Sequence, residues 1–153
     1  MTGRAALALG LAALAPTAAL ADPSSPAVEQ RRQSPAEPST ESAYNRGVRA
    51  RVARDWVEAE KAFRSALRFR PTFADAWNEL GYALRKQQRY PESLDAYAEA
   101  LRLQPDFPEA LEYLGEAFVK MGRLEDARRV LDRLRDLDPP RARELADEID
   151  RAR

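Results

Sequence analysis

The sequence predicts an all-α fold in which three helix–turn–helix units stack side by side and a last helix closes the end. A fixed offset is the first reason. Gly47, Gly81 and Gly115 lie 34 residues apart, as do Pro71, Pro105 and Pro139. The same offset relates Phe63, Tyr97 and Leu131, then Trp56, Tyr90 and Leu124, then Ala66, Ala100 and Leu134. Self-similarity at such a period marks arrays whose units bury their apolar faces only by stacking. The second reason is local spacing. Trp77, Leu80, Gly81 and Leu84 fall at i, i+3, i+4 and i+7, one face of a helix, and Leu94, Tyr97, Ala98 and Leu101 repeat it. The third is punctuation. Gln87–Arg89 is a polar break between the two stripes. Pro105 ends the second helix, because the residue before a proline avoids the α region.

The central stretch therefore carries W-x-x-L-G-x-x-L from Trp77 to Leu84, then Tyr90, Ser93, Tyr97, Ala100 and Pro105. It resembles the tetratricopeptide repeat, a helix–turn–helix unit. Leu84, Ser93 and Tyr97 stand where that family usually has Tyr, Ala and Phe. The resemblance implies repeats at Thr40–Phe73, Ala74–Phe107 and Pro108–Arg141. It also implies a right-handed solenoid with a concave face lined by the first helix of each repeat, where extended or helical peptides bind.

Met1–Ala21 has one charge, Arg4, an apolar run and a small-x-small ending at Ala19–Ala21. This is the plan of a secretory signal peptide, with cleavage expected between Ala21 and Asp22. The uncharged run is short for a membrane span and contains Pro16, which disfavours the alternative of a retained anchor. The expected location is periplasmic or secreted, with no stable membrane anchor after cleavage. Residues 22–39 hold four prolines among Ser, Glu, Gln and Arg, with Val28 the only large apolar residue. Such a segment cannot offset its ordering entropy and is expected to be a disordered linker.

In repeat one, helices are expected near Thr40–Ala53 and Trp56–Phe69. Ala43, Arg46 and Ala50 give its first helix a thin core face, as suits an end repeat. In repeat two they are expected near Phe73–Gln87, with Thr72 as N-cap, and Pro91–Leu103. Gly81 costs about 1 kcal/mol of helix propensity against Ala, which points to a close helix crossing there. In repeat three they are expected near Asp106–Met121, capped by Asp106 and ended by Gly122, and Leu124–Leu137. Ala142, Leu145, Ala146 and Ile149 put one apolar stripe on a last helix near Arg141–Arg151. With a charged back, it suits a solenoid cap spanning residues 142–153.

Composition limits the function. The 153 residues hold 25 basic and 25 acidic side chains, which argues against a general nucleic-acid binder. With no Cys and no His, thiolate nucleophiles, zinc thiolate sites and histidine bases are excluded. No phosphate-binding glycine loop or nucleophile elbow appears, so neither catalysis nor a cofactor is expected.

Positions off the core stripe are the candidates for the concave face. They are Tyr44, Val48, Arg51 and Val52, then Asp75, Asn78, Tyr82 and Arg85, then Glu109, Glu112, Glu116 and Lys120. Tyr44, Val48 and Tyr82 offer apolar surface, and Asn78 offers a two-way amide. Glu109, Glu112 and Glu116 form an acidic stripe. The expected partner is a protein or peptide segment with an aromatic or apolar anchor and a basic residue, bound by a monomeric adaptor. The stripe's alternative is ordinary solvated helix surface. Some family members hold a terminal carboxylate with Lys and Asn, but Tyr44, Val48, Glu112 and Glu116 occupy the matching positions here. Self-association of the repeats, or service as a non-catalytic accessory subunit of an envelope enzyme, are the alternative functions.

Overall fold

The computed structural model describes residues 39–152, so the expected signal peptide, its cleavage site Ala21–Asp22 and nearly all of the linker lie outside the described residues. Among the described residues there are seven helices and no strand. They are α1 (Thr40–Val52), α2 (Trp56–Phe69), α3 (Ala74–Lys86), α4 (Tyr90–Leu103), α5 (Pro108–Lys120), α6 (Leu124–Leu137) and α7 (Pro139–Arg151). Each pairs with its neighbours in sequence, and α5 also packs on α3 and α7. That is three hairpins, α1–α2, α3–α4 and α5–α6, with α7 against the last.

The helix starts differ from expectation in an instructive way. Ser39, assigned to the linker, is the N-cap of α1 and forms a reciprocal capping box with Ser42. Asp55 caps α2 by accepting from the Glu58 N–H at 3.0 Å. Thr72 and Asp106 do not cap α3 and α5. The N-cap positions are Phe73 and Phe107, neither with a side-chain cap bond. Burying these rings takes precedence over capping: Phe107 is 9% exposed, and Phe73 packs against the core. The last helix begins at Pro139, two residues before Arg141, because Asp138 accepts from the Arg141 N–H and a proline suits the first turn.

The interior has two apolar clusters, and Trp77 packs against both. Its Nε1–H donates to the Pro71 carbonyl at 2.8 Å, fixing the indole at the joint. Tyr97, Phe63, Leu80, Leu84, Leu111, Leu134 and Leu145 are fully buried. In α4 the buried stripe is Ser93, Ala96, Tyr97, Ala100 and Leu101, whereas Ala98, expected in it, is exposed. The small residues of that stripe let the neighbouring helices approach. In α7 the buried set Ala142, Leu145 and Ile149 matches the expected stripe, with Ala146 at its edge.

Each hairpin turn needs one left-handed residue. Arg54 (φ 59°), Gln88 (φ 62°) and Gly122 (φ 70°) fill this place at the 34-residue spacing, and only the third is glycine. An L side chain there costs about 1–2 kcal/mol. Gln88→Gly is therefore expected to stabilise the chain by up to about 1 kcal/mol after the entropic cost of glycine. Urea unfolding checks this; a lower midpoint in the variant would contradict it.

Candidate functional site

The first helices α1, α3, α5 and α7 share one side of the stack, and their polar residues reach from each helix to the next. Arg51 of α1 lies 3.2 Å from Glu79 of α3. Arg85 of α3 pairs with Glu116 of α5, and Glu112 of α5 pairs with Arg141 of α7. This inner face is a series of cross-helix ion pairs with aromatic rings set among them.

Tyr82 is at its centre. Its ring is 5.9 Å from Trp56, edge-on, and 5.0 Å from Tyr113, tilted. Arg51, Arg85 and Lys86 surround the same ring at 5.7, 5.3 and 5.1 Å from its centroid. Such cation–ring contacts contribute about 0.5–1 kcal/mol each at exposed sites. Arg85 is buried between Tyr82 and Tyr113. Burial disfavours its charge, but the Tyr97 hydroxyl and Glu116 facing it more than compensate and raise its pKa.

Several expected groove residues are placed differently. Tyr44 does not stand open. It packs on Phe63 at 5.6 Å and Phe73 at 4.9 Å, and Val48 packs on the same cluster. The small Ala43, Gly47 and Ala50 of α1 leave volume that these two fill. Asn78, Arg85 and Glu112 are buried rather than displayed. The acidic stripe is not uniformly available either. Arg141 neutralises Glu112 and Arg85 neutralises Glu116, leaving Glu109, which accepts from the Tyr113 hydroxyl at 3.1 Å. Val52 is 75% exposed at the end of α1.

Three participants were not among the candidates. Tyr113 sits one residue off the Glu109–Glu112–Glu116 stripe, and Trp56 begins the second helix of its repeat. Glu79 lies four residues after Asp75, a spacing that reads as ordinary solvated charge. Only the neighbouring repeat turns them inward.

Burial pushes the carboxyls of Glu79, Glu112 and Glu116 above the usual range, against the pull of Arg51, Arg141 and Arg85 respectively. Glu60 goes the other way. Burial would raise it, but hydrogen bonds from Gln87 and Arg64 and the charge of Arg89 hold it low. A raised carboxyl contributes stability that is present below its unfolded pKa and lost as pH rises through the folded one. A lowered carboxyl contributes stability that is lost as pH falls through its folded value. The melting temperature is thus expected to rise as pH drops from neutrality toward about 5, then to fall below about 4. Glu112→Gln is expected to flatten the first limb. A profile falling monotonically from pH 7 would contradict this assignment.

Family models described as tetratricopeptide or TPR repeat match residues 62–95, 81–122 and 109–140. No curated protein matches the chain. Among solved structures, the TPR2B domain of yeast Sti1 in a pHsp70 complex is 24% identical, with a TM-score of 0.69 over 74% of this chain and 94% of that one. The Arabidopsis OM64 TPR domain is 15% identical, with a TM-score of 0.70 over 73% and 94%. A chain of a CopN–Scc3 complex is 26% identical, with a TM-score of 0.62 over 74% and 68%.

Proposed function

Because the chain belongs to the tetratricopeptide repeat family, we propose that it is a protein-binding adaptor that takes a peptide or protein segment along the inner face of α1, α3 and α5. The observation that carries this reading is the row Trp56–Tyr82–Tyr113 on that face. Aromatic rings provide large contact area at low entropic cost and are enriched in interfaces. Around them, Asn78 Oδ1 is buried without a hydrogen-bond partner, while Arg51 Nε and Glu79 Oε2 face each other at 3.2 Å. Buried polar atoms left unpaired cost free energy, which a ligand's backbone or side chains recover.

The similar domains bound to chaperone peptides share the fold. The lysines and asparagines that would grip a terminal carboxylate are replaced here by Tyr44, Val48, Glu112 and Glu116, so the partner is not of that type. The N-terminal pattern supports an exported adaptor acting in the periplasm, in envelope assembly or secretion. Among the described residues, no helix is long and apolar enough to cross a membrane. The proposed role is non-catalytic.

A peptide selected from a random display library on the purified chain tests the binding face. Tyr82→Ala is expected to weaken it about tenfold, and Arg68→Ala, on the exposed side of α2, to leave it unchanged. Loss of affinity with Arg68→Ala but not with Tyr82→Ala would overturn the placement.

A further inference from the structure

The last seam of the stack is built differently from the two before it. α1, α3 and α5 begin 34 residues apart, at Thr40, Ala74 and Pro108, but α7 begins at Pro139, 31 residues after Pro108. Four residues join α2 to α3 and α4 to α5, whereas Asp138 alone joins α6 to α7, as C-cap of one and N-cap of the other. The third residue of α3 and of α5 is a buried alanine, Ala76 and Ala110. The third residue of α7 is Arg141, which reaches back to Glu112. The order of charge is reversed too. In the first two seams the arginine belongs to the earlier helix, Arg51 facing Glu79 and Arg85 facing Glu116; in the last it belongs to the later one. α7 is therefore a separate piece laid along α5, out of step with the repeats.

Its contacts run in order along the seam. Arg141 pairs with Glu112, Leu145 fills the slot at Gly115, and Glu148 and Arg151 line an opening of about 270 Å3 with Val119 and Lys120. Ala142, Leu145 and Ile149 are the buried anchors. Like charges stand against them. Glu144 of α7 lies within hydrogen-bonding range of Glu112, and Glu148 of α7 faces Glu116. Carboxyls this close share a proton or repel. Arg141 of α7 opposes the first pair, and Arg85 and Lys86 of α3 oppose the second. Even so, burial and then the facing carboxylates keep Glu112 and Glu116 above the usual range. Glu148 Oε2 is itself buried without a hydrogen-bond partner, which costs the closed arrangement free energy. The third hairpin has its own means of standing without α7. Leu131 of α6 lies 16 residues after Gly115, as Phe63 and Tyr97 lie after Gly47 and Gly81, so an apolar neighbour for the slot remains when Leu145 leaves.

We propose that α7 is a hinged strap, which swings away from α5 about Asp138 while the three hairpins stay folded, and which is held closed by shared protons between Glu112 and Glu144 and between Glu116 and Glu148. Asp138 can act as the hinge because one residue's φ and ψ carry the whole link, and Pro139 and Pro140 after it have no N–H to tie the first turn down. A carboxyl raised in the closed state contributes to closure below its open-state pKa, and that contribution is lost as pH rises through the closed-state value. The strap is therefore tighter at pH 5 than at pH 7. Opening uncovers Glu112 and Glu116 at the α5 border of the inner face. That use rests on the inner-face reading; the motion does not.

The experiment is amide hydrogen exchange on the 15N-labelled full chain at pH 5 and pH 7, with each rate divided by that of the unfolded chain at the same pH. Leu145, Ala146 and Ile149 report on α7, and Leu131 and Leu134 on α6. At pH 7 the α7 amides are expected to be at least about tenfold less protected than those of α6. Their protection is expected to be about tenfold higher at pH 5, the size of one pKa unit. Glu144→Gln with Glu148→Gln is expected to remove most of that pH dependence. Arg141→Gln is expected to lower protection in α7 and leave α6 as it was. Equal protection of α7 and α6, or joint loss of both in Arg141→Gln, would make α7 an inseparable part of the third hairpin and overturn the strap. An undiminished pH dependence in the double variant would overturn the proton-sharing contact that holds it. None of these readouts uses a bound peptide, so failure of the inner-face reading leaves them standing and their failure leaves that reading untouched.

Discussion

The two helices of a hairpin can lie as close as they do only because one of them lacks a side chain where they cross. A Cβ built on Gly47 would come within 2.5 Å of the Phe63 ring, and one on Gly81 within 2.6 Å of the Tyr97 ring. Both rings are wholly buried, so neither has free space to retreat into. The third glycine, Gly115, is approached by Leu145 of α7 rather than by the residue of α6 at the equivalent place, Leu131. The closing helix is thus keyed into the same kind of slot that locks the first two hairpins, which explains how an array of three repeats ends without leaving apolar surface bare.

From that spacing the inner face follows. With hairpins stacked closely, long polar side chains on one first helix meet the next helix before they meet water. Arg51, Arg85 and Arg141 each find a carboxylate on a neighbouring helix. Partly buried pairs of this kind gain little net stability, because desolvation offsets much of the attraction. Their effect is on where charge remains. Two of the three acids first noticed on α5, Glu112 and Glu116, are paired with Arg141 and Arg85, and Glu109 is left facing the Tyr113 hydroxyl.

Much of the fold was legible in the sequence because it depends on period and apolar spacing, which are local. α2 and α6 match their expected limits, and the 34-residue offset located all three glycines. The left-handed turn positions Arg54 and Gln88 were legible too, being two periods and one period before Gly122, but neither residue type advertises that backbone conformation. The candidate site was harder. Whether Tyr44 lines a groove or fills the core depends on how small Ala43, Gly47 and Ala50 are together. Whether Glu112 is a binding charge depends on Arg141, 29 residues later, on a helix that only packing brings alongside. Tyr113 and Glu79 become functional candidates through contacts between repeats, which no single-helix pattern contains.

The close crossing is tested most directly by equilibrium urea unfolding of Gly81→Ala. Helix propensity alone would make this variant more stable by about 1 kcal/mol. Contact with the buried Tyr97 ring opposes that gain and costs about 1–3 kcal/mol. A lower unfolding midpoint at unchanged slope is the expected result. A variant more stable than the parent by the propensity increment would show that the helices do not need the missing side chain, and would contradict the packing on which the inner face depends.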